Sequence, residues 1–135
     1  MPEFISKDVL NMSLNSYVES YGYRIDQLTY NFVSKERLLK LNKKFLNHDT
    51  HTDIITFDYS KNKLLKAEFY ISLWAVRLSA EEQSQSIVNE TLRVISHGVL
   101  HCLGYKDDTE CNKYEMRVLE DKFMEMFHVK QNKNV

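Results

Sequence analysis

His97 and His101 stand four residues apart in a run that reads His-Gly-Val-Leu-His-Cys-Leu-Gly-Tyr-Lys-Asp from position 97 to 107. On a helix of 3.6 residues per turn they lie about 40° from each other, so both imidazoles can reach one cation. Gly104 follows at the third step, where a helix commonly ends in the left-handed region. The chain can then turn back and bring Asp107 to the same point. Two imidazoles and a carboxylate with one position open suit a catalytic divalent metal. An isolated H-x-x-x-H more often means one buried and one exposed histidine. The glycine and the acid at fixed offsets weigh against that plainer reading.

The same spacing overlays the H-E-x-x-H-x-x-G-x-x-H pattern of metal proteases. Those enzymes take their general base from the Glu directly after the first His. Here that position is Gly98, and no other acid falls between the two histidines. A protease would lack its base. What remains is a metal that polarises a phosphoryl oxygen, activates water, or both. His48, His51 and Asp53 form a second cluster, which could be a metal site, a proton relay to substrate, or a polar loop at a strand's start. No P-loop or other Gly-rich phosphate loop is present, so no nucleotide cofactor is expected.

The elements that must position these groups follow from periodicity and caps. Glu3 to Ser6 could form a short edge strand. Leu14, Tyr17, Val18 and Tyr21 have helical spacing, and Gly22 ends that helix. Leu28, Tyr30 and Phe32 alternate with polar residues as a half-buried strand does. Ser34 can cap a helix that turns Leu38, Leu41 and Phe45 inward. Asp53 to Tyr59 reads as the best central strand, and Phe69, Ile71 and Leu73 mark another. A helix then starts near Ser72 and runs to about Glu82. Ser86 can cap the histidine helix, whose apolar face is Val88, Leu92, Ile95, Val99 and Leu103. Thr109 can cap a last helix that packs Met116, Leu119, Phe123 and Met126 or Phe127 inward. The expected architecture is an α+β domain spanning residues 1–135, with helices over a small, mixed, four-stranded sheet.

Composition agrees with one domain of ordinary size: 135 residues, 43% hydrophobic, with three glycines and one proline, too few for a long linker. The N-terminus carries no basic segment followed by an apolar run, and no stretch is apolar enough to span a bilayer. Cys102 and Cys111 are therefore expected as reduced thiols, Cys102 in the core and about 100° round the helix from His101. A net charge of −1 exerts no global pull on nucleic acid. Locally, Lys35, Arg37, Lys40, Lys43 and Lys44 crowd one segment with Glu36 as its only acid, either a solvated helix face or a phosphate-holding one.

The chain resembles the YbeY family of rRNA maturation factors, metal-dependent endoribonucleases of the bacterial cytoplasm. The family signature H-G-x-L-H-x-x-G-Y-D-H falls on His97 to Asp107. A second segment, L-N-x-x-[YF]-R-x-x-D-x-x-T-D-V-L-S-F, falls on Leu41 to Phe57, which reads LNKKFLNHDTHTDIITF. A third, G-D-I-x-I-S, matches Ala67 to Ser72 in weakened form. Three positions depart from the pattern: Asp107 replaces a histidine, Leu46 an arginine lining the substrate cleft, and Ala67-Glu68 a Gly-Asp pair.

The resemblance implies a zincin-like fold and a metal held by His97, His101 and Asp107, with Asp107 preferred over Asp108 by register. It implies a metal-bound water as the reacting group, with His51, Thr52 and Asp53 in the surrounding shell or against substrate. Asp107 makes the set one charge less positive than three histidines would, which widens the choice toward Mn²⁺; two imidazoles still favour Zn²⁺. The implied substrate is single-stranded rRNA near the 3′ end of the small-subunit molecule, and the implied partner is the small ribosomal subunit, away from any membrane. Lys40, Lys43, Lys44 and Tyr105 are the candidates for holding RNA, since single strands bind to positive grooves with aromatic faces. Two rivals stand beside this reading. One is a non-catalytic assembly factor whose metal ties down the last helix; the other is a general metal-dependent hydrolase of small phosphoesters.

Overall fold

A computed structural model describes residues 1–46 and 52–133 of the chain. Its elements are, in order, α1 (Lys7–Glu19), β1 (Arg24–Val33), α2 (Lys35–Leu46), β2 (Ile54–Asp58), β3 (Leu64–Ser72), α3 (Leu73–Glu82), α4 (Ile87–Cys102) and α5 (Glu110–Lys133). The α+β class and the mixed sheet are as the sequence predicts, but the sheet among the described residues has three strands, ordered β1-β3-β2. β1 runs parallel to β3 and β2 antiparallel to it.

Two expectations about the sheet are corrected. Glu3 to Ser6 is not a strand. Ile5 donates its N–H to the Pro2 carbonyl in a turn, and Ser6 caps α1 by accepting from the Val9 N–H at 3.3 Å. The cap claims the end of the segment before a ladder could form. Nor is the Asp53–Tyr59 segment central: β3 lies between the other two strands, and β2 is an edge. Of its residues only Ile55 is fully buried.

The central strand sorts its side chains by parity. Leu65, Ala67, Phe69 and Ile71 point into the main core with α1, α4 and α5. On the other face Tyr70 meets the Phe57 ring edge-on at 5.8 Å, beneath α2. Leu38 of α2 and Ile55 are buried outside the main core cluster. Phe45, expected inward, is 53% exposed and rests its ring edge against Phe57, while Asn42 takes the buried position. α2 ends over a short edge strand that offers little surface to cover a ring one turn further on.

The helices around the site begin at the expected caps. Ser34, Ser72, Ser86 and Thr109 each accept a backbone N–H three residues on, at 3.0 to 3.2 Å. At the end of α4, Gly104 has φ +101, Gly104 N–H reaches the His101 carbonyl and Tyr105 N–H the Leu100 carbonyl. This left-handed residue lets the chain double back after Cys102, and a side chain there would be strained. The Tyr17 hydroxyl donates to the Leu119 carbonyl at 2.7 Å, fastening α1 to α5.

Candidate metal centre

α4 places its two histidines on the rim of the core, and the turn at Gly104 returns Asp107 to them. His97 Nε2 lies 3.0 Å from His101 Nε2 and 3.2 Å from Asp107 Oδ2, and the third side of the triangle is 3.7 Å. Ligands about 2.0–2.1 Å from a tetrahedral ion stand roughly 3.3 Å apart, so these three atoms have the spacing of a ligand set. Among the described residues they are the one group of His, Cys, Asp or Glu atoms close enough to share an ion. Asp108 is turned away: it accepts from Asn112 Nδ2 at 2.7 Å, a bond that holds its carboxyl below the usual range.

The outer nitrogens of both rings explain the aim of the inner ones. His101 Nδ1 sits 3.0 Å from the Tyr105 carbonyl, which only accepts, so Nδ1 carries the hydrogen and Nε2 presents its lone pair. His97 Nδ1 sits 2.7 Å from Glu120 Oε2, with the same result. With both rings neutral, two lone pairs and a carboxylate oxygen then converge on one point, an arrangement that a shared cation or a proton on His97 Nε2 satisfies. Burial works against a protonated His97, but the Glu120 hydrogen bond and the charges of Glu120, Asp107 and Asp53 outweigh it and raise its pKa. A proton on His97 and a divalent ion would therefore compete for the same Nε2.

Behind His97 lies a buried ionic relay that sequence reasoning missed. Glu120 is 4% exposed, and its second oxygen accepts from Arg93 Nη1 at 3.0 Å. Arg93 also pairs with Asp121 at 2.7 Å and approaches Glu90 at 3.8 Å. Glu90 is 3% exposed and accepts from Ser79 Oγ at 2.6 Å. A histidine ligand usually gives its other N–H to such a carboxylate, which fixes the ring and raises its basicity. The signal was present: Glu120 interrupts the apolar stripe of Met116, Leu119 and Phe123, and Arg93 stands one turn before His97.

A cleft of about 500 Å³ opens over the three ligand atoms, with Thr52, Asp53, Thr56, Asp58 and Cys102 in its walls. Asp53 is anchored where β2 begins, its carbonyl accepting the Ser72 N–H at 3.0 Å. Burial raises the pKa of its carboxyl, opposed by the charge of His97. The Cys102 thiol is pushed up to about 12 by burial, with Asp58 adding to the shift, so it stays protonated and packs in the core as predicted. A roomier hollow of about 730 Å³, between Asp26 and Lys66, touches this cleft only at Asp58 and holds no converging ligands.

The other expected site residues divide. Thr52 lines the cleft and donates its hydroxyl to the Ile54 carbonyl. His48 and His51 lie outside the described residues, as does the side chain of Leu46. Lys40, Lys43 and Lys44 are exposed on α2 but are not in the cleft wall. The Tyr105 ring, a candidate for meeting RNA, is half-buried and packs edge-on against Tyr21 at 5.9 Å. Its carbonyl serves the site by orienting His101.

Fold and site together define a class: an α+β protein in which a helix bearing H-x-x-x-H and a returning aspartate bring together three side chains that could hold a metal ion. The family model described as Endoribonuclease YbeY matches residues 3–128. The chain belongs to the YbeY family. It is 42% identical to a protein named Endoribonuclease YbeY from Flavobacterium psychrophilum, over 88% of this chain and 85% of that one. Its identity to the one from Cytophaga hutchinsonii is 43%, over 80% and 76%. The solution structure of TM1509 from Thermotoga maritima superposes with a TM-score of 0.67 at 26% identity, covering 94% of this chain and 84% of that one.

Proposed function

We propose that this chain, acting as one domain, is a metal-dependent endoribonuclease of rRNA maturation. It cuts single-stranded RNA near the 3′ end of small-subunit rRNA, in the cytoplasm and in contact with the small ribosomal subunit. The observation that carries this reading is the convergence of His97 Nε2, His101 Nε2 and Asp107 Oδ2 within 3.0 to 3.7 Å, in a chain whose relatives are named as endoribonucleases. These three residues would hold the ion, with zinc the expected metal on the strength of two imidazoles. When bound, a divalent ion there polarises a phosphoryl oxygen and makes water more acidic.

The chain's own groups do the rest. Glu120 and the Tyr105 carbonyl hold the two rings in the tautomer that leaves Nε2 bare. Asp53 reaches the cleft with its pKa raised by burial, which suits a group that takes a proton at one stage and returns it at another. Thr52 stands beside it, and His51 is the next residue to test for a role at substrate. β2, an edge strand among the described residues, forms one wall of the cleft, along which a polymer could lie. The assembly-factor reading is weakened because Glu120 already joins α5 to His97 without a metal's help.

The test is elemental analysis of purified protein together with cleavage of a single-stranded rRNA fragment, its duplex and a small phosphodiester. Stoichiometric metal and cleavage of the single strand alone are expected. His97→Ala and His101→Ala should lose both metal and cleavage, because each removes one of three ligands. Stoichiometric metal in either variant would show the site to be wrong, and equal turnover of the small diester would favour the general hydrolase.

A further inference from the structure

A hollow of about 730 Å³ begins where the metal cleft stops. The cleft wall follows β2 from Thr52 to Asp58, and the hollow takes over at Asp58, lined further on by Tyr59, Lys61 and Lys66 and by Asp26 of β1. A tight hairpin carries these side chains. Lys61 bridges to Leu64 across Asn62 and Lys63, which have φ 54 and 63, the two-residue turn whose twist matches that of the strands it joins. Tyr59 is 51% exposed, and among the described residues neither a second ring nor a cation rests on its ring. Lys61, Lys66 and Asp26 make no ion pair among the described residues. Asp58 is engaged, its Oδ1 accepting the Ser60 N–H at 2.9 Å.

We propose that this hollow seats the nucleotide next to the one at the metal, its base stacked on Tyr59 and its phosphate held by Lys61 and Lys66. The proposal rests on the reading that the substrate is single-stranded RNA. A strand lying along β2 past the three ligands enters the hollow at Asp58 without leaving the wall. Stacking on an open aromatic ring is how sequence-tolerant single-strand sites gain affinity, because every base has a π face. The mixed charges of the lining suit a nucleotide. Its phosphate calls for the two lysines, and its base edge carries N–H donors that the unpaired Asp26 carboxylate can accept. Two lysines alone would serve any anion, whereas the ring beside them selects one that carries a base. A duplex keeps its bases on each other and offers none to Tyr59.

The test is anisotropy of a fluorescently labelled, single-stranded 2′-O-methyl oligoribonucleotide, checked on a gel to stay uncut, titrated with the metal-loaded protein. Tyr59→Ala should weaken binding roughly 5- to 150-fold, the range expected for one stacked base, with its melting temperature close to wild type. Tyr59→Phe, which keeps a ring, should recover most of the affinity. A fully abasic strand of the same length keeps the phosphates and lacks the bases, so on it Tyr59→Ala should bind as wild type does. Replacing both Lys61 and Lys66 with Gln should flatten the slope of log affinity against log salt by about 0.7, the share of one phosphate on a single strand. Tyr59→Ala and the double lysine variant both binding within twofold of wild type would overturn this subsite and leave the nuclease reading standing. A Tyr59→Ala loss of the same size on duplex RNA or on the abasic strand would overturn it too, since neither offers a base to the ring. A wild-type protein that binds no single-stranded RNA would overturn both.

Discussion

Changing Glu120 to Gln tests whether the buried relay sets the metal site. The substitution keeps the shape of a side chain that is 4% exposed and removes its charge. Wild-type Glu120 accepts from His97 Nδ1 at 2.7 Å with one oxygen and from Arg93 Nη1 at 3.0 Å with the other. A glutamine has one acceptor. If its oxygen faces His97, its amide hydrogens meet the Arg93 guanidinium, donor against donor. If the amide is reversed, His97 Nδ1 must accept, Nε2 takes the hydrogen, and the ring no longer offers a lone pair to the ion. Either way one charge-assisted bond is lost, about 1.5–3 kcal/mol. Arg93 keeps Asp121 at 2.7 Å, which argues for the lower end in metal-free stability. For metal the loss should be about 10- to 100-fold in affinity, equivalent to roughly 1.4–2.7 kcal/mol. Competition against a chromophoric chelator measures the affinity, and urea denaturation of metal-free protein measures the fold. Arg93→Met should weaken metal less than Glu120→Gln, because it acts one bond further away. Zinc affinity within twofold of wild type in Glu120→Gln would refute the argument that this carboxylate orients His97.

Three further outcomes follow from the same geometry. Asp107→Ala should lose metal while Asp108→Ala keeps it, since Asp108 is engaged by Asn112; elemental analysis in which Asp108→Ala alone is stripped would reverse the assignment. At Gly98 an added Cβ would stand 2.8 Å from Phe69 Cε1 and 3.0 Å from Ile54 Cδ1. The overpacking of Gly98→Ala, about 1–3 kcal/mol, exceeds the ~1 kcal/mol that alanine returns in helix propensity, so the variant should melt several degrees lower, and a rise in Tm would contradict this; Gly98→Glu would put a carboxylate against the same ring and should fail to fold rather than gain peptidase activity. For Asp53, burial raises the carboxyl's pKa in the folded protein, so its contribution to stability is present below the ordinary carboxylate range and lost as pH rises through the raised value. Metal-free Asp53→Asn should therefore melt higher than wild type at neutral pH, the gap closing in acid, while RNA cleavage falls; a gap that widens in acid would show the sign to be wrong.

Much of the site could be read along the chain because its pieces are local. The separation of His97 and His101, the cap at Ser86 and the left-handed Gly104 depend on neighbours within a few residues. Helical pitch and backbone sterics then dictate where the side chains go. The same holds for the caps at Ser34, Ser72 and Thr109. Family motifs extended that reading to Asp107 in preference to Asp108, and the Asn112 contact supplies a physical reason for it.

Strand order is a different matter. Periodicity marks β2 as buried and says nothing of which strand lies between which, so an edge was read as a centre. The side-chain period of two cannot tell an edge ladder from an inner one, because both bury one face. Glu120 joins His97 across 23 residues and Arg93 across 27, and in the sequence it is one of many acids on a charged helix. Only the packing of α5 against α4 turns it into the partner of a ligand. Tyr105 points the same way: its edge-on contact with Tyr21, 84 residues away, could not be read beside the motif. Trp74 stays outside the core because α3 turns it outward, beside a groove lined by Thr52 and Asp53. The sequence by itself determined the candidate ligands, their helix and the turn that closes on them, all set by backbone geometry over a few residues. Tertiary structure alone decided which distant charges face those ligands and which aromatic rings remain exposed, because burial and long-range pairing depend on how the whole chain packs.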